Sequence, residues 1–257
     1  HTGITPKIPT IQVDFDRLAL AKFHAIEVPV WGELGVTAKL LADQLKQGDR
    51  DFEDRKPLVA ERWEIWRKEK QVRLRESFEN GISSVAVFEA MNKYVPADAA
   101  IAVDVGNNTY SFGRYFECQQ ESVVMSGYLG SIGFGYPAAI GLWAALGDSR
   151  PIFCVTGDGG FGQYPMEVTT AVKYGMPIKH ILLNNNELGK ISKEQRAVEY
   201  DVWQTSLQNP HFAEFVTSCG GLGIRVEKIE DLEPAFETML AHEGPVTVEI
   251  MTDALLI

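Results

Sequence analysis

Val155-Thr-Gly-Asp-Gly-Gly-Phe161 is the stretch that decides the fold. It ends an apolar run, 151–155, that is typical of a buried strand, and it precedes residues 164–174, whose apolar positions have helical spacing. A chain that leaves a strand at Gly-Asp-Gly-Gly and enters a helix presents backbone N–H groups that suit phosphate oxygens. The Asp158 carboxylate would repel a bare phosphate, so we expect a divalent cation between the two.

A second motif, Leu183-Asn-Asn-Asn-Glu-Leu-Gly189, follows the apolar run 179–183. We predict that the two runs are adjacent parallel strands, and ligands of open α/β sheets gather at the carboxyl ends of such strands. Mg²⁺ prefers near-octahedral oxygen donors from one or two side chains, phosphate oxygens and water. Asp158, an Asn amide oxygen and a nearby backbone carbonyl would supply the protein's share of these donors.

The composition is that of an ordinary globular protein, with 45% of the 257 residues hydrophobic and 23% charged. A net charge of −11 argues against nucleic acid and does not favour an anionic membrane. The three cysteines lack metal-like spacing and are expected to be reduced, which fits the cytoplasm. No run is apolar enough to span a bilayer, and the N-terminus has no signal-peptide pattern. Because the chain begins with His1, we expect a fragment, a processed product or a trimmed piece.

The chain separates into three regions. Residues 1–48 hold two predicted strands and an amphipathic helix, and residues 49–80 are a charged linker followed by a helix. Residues 81–257 alternate helices with short apolar strands. This alternation predicts an α/β fold with a doubly wound parallel sheet that is buried on both faces.

The two motifs together resemble the diphosphate-binding signature of thiamine-diphosphate enzymes. Gly157-Asp158-Gly159 is followed, after 24 residues, by Asn184-Asn185. Either half alone would indicate only a turn, but the pair at this spacing on two strand ends is specific. The resemblance implies the thiamine-diphosphate-binding fold and a Mg²⁺ site formed by Asp158, Asn185 and the backbone carbonyl of Glu187.

Other segments near the motifs are candidates for cofactor contacts. Ile132 lies in a glycine-dense stretch, 126–137, at the position where the family has a bulky aliphatic residue that holds the cofactor bent; otherwise it is an ordinary core residue. The Asn-rich segment 104–108 is either a turn or a contact to the diphosphate. The predicted cofactor-binding residues are Asp104, Gly106, Asn107, Asn108, Gly130, Ile132, Gly157, Asp158, Gly159, Gly160, Asn185, Glu187, Leu188, Gly189, Lys190 and Ile191.

The run Leu188-Gly-Lys-Ile-Ser-Lys-Glu-Gln195 resembles one in bacterial pyruvate oxidases, where a glutamate at the position of Glu194 faces the active site. A shielded carboxylate can have a raised pKa and transfer protons, so Glu194 joins Ile132 as a candidate catalytic residue. The other interpretation of Glu194 is a solvated charge on a helix. Lys190 replaces an aromatic residue that lies beside the electron-transfer route in those oxidases, which weakens the case for flavin-linked oxidation.

Both ends of the chain resemble the pyruvate oxidase and acetolactate synthase group, at residues 11–16 and 31–33 and at 223–228 and 244–249. The resemblance makes residues 1–48 the end of a Rossmann-like middle domain, which holds FAD in some members, and 81–257 the diphosphate-binding domain. In this family an activating glutamate lies on a separate N-terminal pyrimidine-binding domain, which nothing in this chain resembles. We therefore expect that domain as a partner, from the same or a neighbouring subunit of a homodimer or homotetramer, and little activity from this chain alone.

The resemblance implies a thiamine-diphosphate- and Mg²⁺-dependent enzyme that decarboxylates a small 2-oxoacid such as pyruvate, in the manner of a pyruvate oxidase. The acceptor stays open between an electron carrier, a proton and a second oxoacid, and an acetolactate synthase-like carboligase is the alternative. A non-catalytic cofactor-binding subunit is an alternative of another class. A nicotinamide dehydrogenase matches poorly, because no Gly-x-Gly-x-x-Gly follows a strand with an acidic residue about twenty positions later.

Overall fold

The computed structural model describes residues 8–48, 53–74 and 81–254. The chain divides into two compact units, with the boundary between Arg62 and Trp63. Residues 49–52 and 75–80 of the predicted linker region lie outside the described residues. The three regions predicted from the sequence therefore stay a prediction.

The first unit contains two short parallel strands and a helix. Strand β1 (Ile11–Asp14) pairs with β2 (Val28–Trp31), and helix α1 (Leu34–Gln47) follows. Glu33 caps this helix, because its carboxylate accepts the backbone N–H groups of Gly35 at 3.0 Å and Val36 at 2.6 Å. The two strands and the helix that were predicted for this region are thus present.

Helix α2 (Lys56–Arg73) contains the boundary between the units, and its second half, from Trp63, belongs to the second unit. Lys70 is buried there and forms ion pairs with Glu89 and Glu117, both at 2.9 Å. The ring of Trp66 stacks on that of Tyr115. The tryptophan therefore has the packing role that its helical spacing indicates.

The second unit is a six-stranded parallel sheet with helices on both faces. Its strands stand in the order β4-β3-β5-β6-β8-β7. In chain order its elements are α3 (Ser84–Tyr94), β3 (Ala100–Val103), α4 (Asn107–Tyr115), β4 (Ser122–Met125), α5 (Gly135–Leu146), β5 (Ile152–Gly157), α6 (Asp158–Phe161), α7 (Glu167–Lys173), β6 (Lys179–Asn184), α8 (Gly189–Ala197), α9 (Phe212–Ser218), β7 (Leu222–Val226), α10 (Leu232–Ala241) and β8 (Val246–Met251).

Alternate residues of the central strands point to opposite faces of this sheet. Ile101 and Val103 of β3 pack in one buried hydrophobic cluster, with residues of α3, α4 and α10. Ala100 and Ala102 belong to a second cluster on the other face, with residues of α5, α7 and α9. A parallel sheet that is covered on both faces is the doubly wound fold, so the predicted fold class is confirmed.

The strands that precede the two motifs are neighbours, as predicted. β5 and β6 pair in parallel, with Gly157 opposite Leu183, so both motifs begin at the same edge of the sheet. The helix predicted over 164–174 is the shorter α7, and a single helical turn, α6, already begins at Asp158. In the part of the chain that is described, no helix has the length and hydropathy of a membrane span.

Candidate functional site

A cavity of about 370 Å³ lies at the carboxyl edge of the sheet. Its walls come from the segments that follow β3, β5, β6 and β8, together with Gly130 and Ile132 of the glycine-dense stretch. Every residue that the sequence assigned to cofactor binding lines this cavity, apart from Asp104. The structure thus brings together, around one space, residues that lie more than eighty positions apart in the chain.

Asp158 is a buried carboxylate of the cavity, at the point where β5 ends and α6 begins. Burial raises the pKa of Asp158 to about 6, and the hydrogen bonds that oppose this shift include the Asn209 side chain and the backbone N–H groups of Gly159 and Asn186. A carboxylate that is largely withdrawn from water favours a nearby cation, because an opposite charge stabilises its ionised form. Asp158 is therefore a suitable metal ligand.

The second motif forms a tight turn beside Asp158. The side-chain oxygen of Asn185 accepts the backbone N–H of Glu187 at 3.1 Å, and Asn186 has a φ of +55°. The Glu187 carboxylate accepts hydrogen bonds from Arg196 and Thr205, both at 3.3 Å. The side chain of Glu187 is thus engaged outside the turn.

The donor set of this site is mixed. Among the described residues no group of three His, Cys, Asp or Glu side chains could hold a metal ion. One carboxylate, one amide oxygen and one carbonyl suit Mg²⁺, which takes few protein ligands and completes its shell with phosphate oxygens and water. The residues that are present therefore fit a metal that is shared with a phosphorylated cofactor.

The part of the cavity wall at the beginning of α4 suits a phosphate group. Helix α4 begins at Asn107, directly after Gly106, whose φ of +143° is a conformation that side-chain-bearing residues rarely adopt. The Asn107 side-chain nitrogen is buried and has no hydrogen-bond partner among the described residues. An unpaired buried donor at the beginning of a helix is suited to an anionic oxygen.

Asp104 lies behind the cavity wall and does not line it. Its Oδ1 accepts the backbone N–H groups of Val105 at 2.7 Å, Gly133 at 2.9 Å and Phe134 at 3.2 Å. Burial raises the pKa of this carboxyl group, and those N–H groups oppose the shift. A side chain at Gly160 would clash with Asp104 Oδ2, so the wall can be this thin only with glycine at that position. Asp104 thus supports the site by holding the glycine-dense stretch.

The two candidate catalytic residues have different places. Ile132 lines the cavity and is half exposed, close to Gly159. Glu194 does not line the cavity, and its carboxylate forms an ion pair with Lys190 while remaining largely exposed. Because Glu194 lies four residues after Lys190 on α8, it is one helical turn further from the cavity. Of the two interpretations, the exposed ion pair agrees with a solvated charge on a helix, and the catalytic role of Glu194 stays a prediction.

Asn209 is a site residue that the sequence did not reveal. Its side-chain nitrogen donates to Asp158 Oδ2 at 2.7 Å and to Asn184 Oδ1 at 3.0 Å. It belongs to a connection between α8 and α9, outside both motifs. Nothing in the local pattern separates it from other loop asparagines, so only the tertiary structure identifies it.

Comparison with known proteins agrees with this geometry. The sequence model of the thiamine pyrophosphate enzyme C-terminal TPP binding domain matches residues 104–250, which include both motifs. The chain belongs to this family. The family predicted from the two motifs is therefore confirmed.

Similar proteins include members with a named activity. YdaP of Bacillus subtilis (strain 168), named as a thiamine pyrophosphate-containing protein, is 34% identical over 95% of this chain and 42% of its own length. The acetolactate synthase large subunit of Corynebacterium glutamicum is 28% identical over 96% of this chain and 40% of its own. The large subunit of acetolactate synthase isozyme 2 from Escherichia coli (strain K12) is 25% identical over 97% of this chain and 44% of its own length. The chain thus spans about two fifths of the length of these relatives.

Proposed function

We propose that this chain binds the diphosphate end of thiamine diphosphate through Mg²⁺, with Asp158, Asn185 and the carbonyl of Glu187 as the protein ligands. The observation that carries the proposal is a cavity in which a buried carboxylate at the end of β5 lies beside an amide-rich turn at the end of β6. Family membership supports the choice of cofactor.

The residues of the chain have separate tasks in this proposal. Asp158 contributes the negative charge that attracts the metal, and the backbone at Gly106 and Asn107 approaches the diphosphate. Ile132 provides a bulky apolar surface in the cavity, against which the cofactor is held in its bent shape. The bound cofactor supplies an electron sink for the loss of CO₂ from a 2-oxoacid.

For the whole protein we propose decarboxylation of a small 2-oxoacid such as pyruvate, in the manner of a pyruvate oxidase. The acetolactate synthase relatives favour a second candidate, a carboligase that passes the remaining fragment to another 2-oxoacid. Lys190, which replaces the aromatic residue expected for an oxidase, also favours this candidate. The activating glutamate would come from a pyrimidine-binding domain in the same or a neighbouring subunit of a homodimer or homotetramer.

These candidates differ in colour and in product. A pyruvate oxidase-like protein that holds FAD would be yellow, and it would consume pyruvate only with an electron acceptor. A colourless protein that converts pyruvate to acetolactate would establish the carboligase. If the chain supplied with the pyrimidine-binding domain decarboxylates no 2-oxoacid, it is instead a non-catalytic cofactor-binding subunit.

Cofactor binding itself is tested by calorimetry on the 257-residue chain with thiamine diphosphate. Heat of binding is expected with Mg²⁺ present and not after a chelator is added. Asp158→Ala should abolish binding, because the charged ligand of the metal is lost. Unchanged binding in this variant would exclude the metal site at Asp158.

A further inference from the structure

The turn that carries Asn185 and Glu187 is supported by a third chain segment, residues 205–209. The backbone N–H of Leu188 donates to the carbonyl of Thr205 at 2.7 Å, and the N–H of Leu207 donates to that of Asn186, also at 2.7 Å. Glu187 and Ser206 form an antiparallel bridge between these two hydrogen bonds. Segment 205–209 therefore lies alongside the turn and pairs with it as a short antiparallel strand would.

Asn209 is at the end of this segment and connects the two strand ends. Its side-chain nitrogen contacts Asp158 Oδ2 at 2.7 Å, Asn184 Oδ1 at 3.0 Å and Asn186 Oδ1 at 3.3 Å. A primary amide has two hydrogens, so the two shorter contacts are its full hydrogen bonds. One acceptor follows β5, and the other ends β6.

A buried network fixes the position of Asn184. The Asn184 side-chain nitrogen donates to Glu249 Oε1 at 2.7 Å, and Glu249 is completely buried. Arg225 donates to the same oxygen at 3.0 Å. Because the buried carboxylate is neutralised by an arginine and held by hydrogen bonds, Asn184 has little freedom to move. Asn209 therefore has a fixed acceptor on one side and Asp158 on the other.

We propose that Asn209 is a positioning residue for the metal site. It holds Asp158 at one strand end and Asn184, directly before Asn185, at the other, and so it sets the separation between the two side-chain ligands of the metal. The inference rests on the proposed function, and it adds a residue and a segment that neither motif contains.

The choice of metal ion separates positioning from general stability. Mg²⁺ requires near-ideal octahedral geometry at short distances, whereas Ca²⁺ accepts longer and more variable ones. A variant that loosens the ligand spacing should therefore weaken Mg²⁺ binding more than Ca²⁺ binding. A variant that only destabilises the fold should weaken both ions equally.

The test is a titration of the 257-residue chain with Mg²⁺ or Ca²⁺ at a fixed excess of thiamine diphosphate. The unfolding temperature is measured at each ion concentration and reports binding. In Asn209→Ala the half-saturating Mg²⁺ concentration should rise about tenfold or more, as is usual when a partner of a metal ligand is lost. The half-saturating Ca²⁺ concentration should rise by a factor several times smaller than that for Mg²⁺. Gln208→Ala changes the exposed neighbouring residue and should leave both concentrations unchanged.

Asn209→Asp distinguishes a hydrogen-bond donor from a metal ligand, since the new carboxylate has the same shape but cannot donate to Asp158. It should weaken Mg²⁺ binding as the alanine variant does, and it decides the matter if the alanine variant does not fold. Unchanged or tighter Mg²⁺ binding in this variant would overturn the proposal, as would equal losses for both ions in Asn209→Ala. If the wild-type chain fails to bind thiamine diphosphate both with Mg²⁺ and with Ca²⁺, the proposed function is refuted instead.

Discussion

The thin wall between Gly160 and Asp104 gives a prediction at the scale of a single residue. A Cβ on Gly160 would overlap the Asp104 carboxylate, which is buried and holds the glycine-dense stretch. Gly160→Ala should lower the free energy of unfolding by about 1–3 kcal/mol, the usual cost of overpacking. It should also reduce cofactor binding, and both effects are measured by denaturant unfolding with and without Mg²⁺ and thiamine diphosphate.

Gly141→Ala is the matched control for this prediction. Gly141 lies within α5, and a Cβ there would meet no atom within 4 Å. Since alanine favours a helix over glycine by up to about 1 kcal/mol, this variant should be unchanged or slightly more stable. If Gly160→Ala behaves in the same way, the wall is not as tightly packed as the structure indicates.

The buried ring of His180 leads to a prediction of how the free energy of unfolding depends on pH. The ring is completely buried on β6 and bonds to the hydroxyls of Thr156 at 2.8 Å and Thr247 at 3.0 Å, on the two neighbouring strands. Burial lowers the pKa of His180 from 6.5 to about 3. Between these two pKa values the unfolded chain binds a proton that the folded chain does not. The stability that the neutral ring contributes is therefore complete above pH 6.5 and is lost as the pH falls toward about 3.

The measurement is the free energy of unfolding of the wild type and of His180→Gln between about pH 6 and pH 4. The wild type should lose about 1.4 kcal/mol per pH unit more than the variant, because one proton is taken up on unfolding. The carboxylates contribute to both slopes and cancel in the difference. Parallel slopes would show that the ring is protonated in the folded state.

At this scale the sequence is informative where a residue type and its spacing carry the chemistry. Asp158 and Asn185 were identifiable because each follows an apolar run, and parallel strands end at one edge of the sheet. The contact between Asn209 and Asp158 crosses fifty-one positions and has no such pattern. Asp104 was assigned to the cofactor as part of the segment 104–108, but its carboxylate turns toward Gly133 and Phe134.

At the scale of elements, a buried ammonium group holds the second half of α2 to other elements of the second unit. Lys70 pairs with Glu89 and Glu117, and Arg67 also pairs with Glu117 at 2.8 Å. Burial alone would lower the pKa of Lys70, but the hydrogen bonds that its ammonium group donates to the two carboxylates raise it above its usual value. The charged form is thus retained in the contact.

Lys70→Ala should therefore release this end of the helix. We expect faster amide hydrogen exchange in residues 63–73, while the sheet strands keep their protection, because local opening requires less free energy than global unfolding. Lys68→Ala is the control, since Lys68 is exposed and pairs with Glu64 on the same helix. Equal exchange in the two variants would mean that the buried ion pairs do not anchor α2.

Helix α4 shows why some elements were not predicted. Its sequence, Asn107-Asn-Thr-Tyr-Ser-Phe-Gly-Arg-Tyr115, has few strong helix formers and contains a glycine. The helix is stabilised by packing, because Phe112 and Tyr115 are buried and Phe112 makes an edge-to-face contact with Phe88 on α3. Tertiary contacts therefore override a weak local preference.

At the scale of the molecule, alternation predicted the doubly wound sheet but not the order of its strands. β8, the last strand, lies between β6 and β7, and β3 lies between β4 and β5. Such crossovers depend on how the helices cover the sheet and not on any local pattern. Only the β5–β6 neighbourhood could be inferred, because the two halves of one ligand site require it.

The division into two units leads to the last prediction. All the residues proposed to bind the cofactor belong to the second unit. A ligand that binds only the folded form at a hundred times its Kd stabilises it by about 2.7 kcal/mol, which for a unit of this size raises Tm by about 5–10 °C. In scanning calorimetry with Mg²⁺ and thiamine diphosphate, the transition of the second unit should therefore shift, and that of the first should not. Thiamine without the diphosphate lacks the group that shares the metal with Asp158, so it should produce little shift; equal shifts with both compounds would contradict a site anchored by the diphosphate.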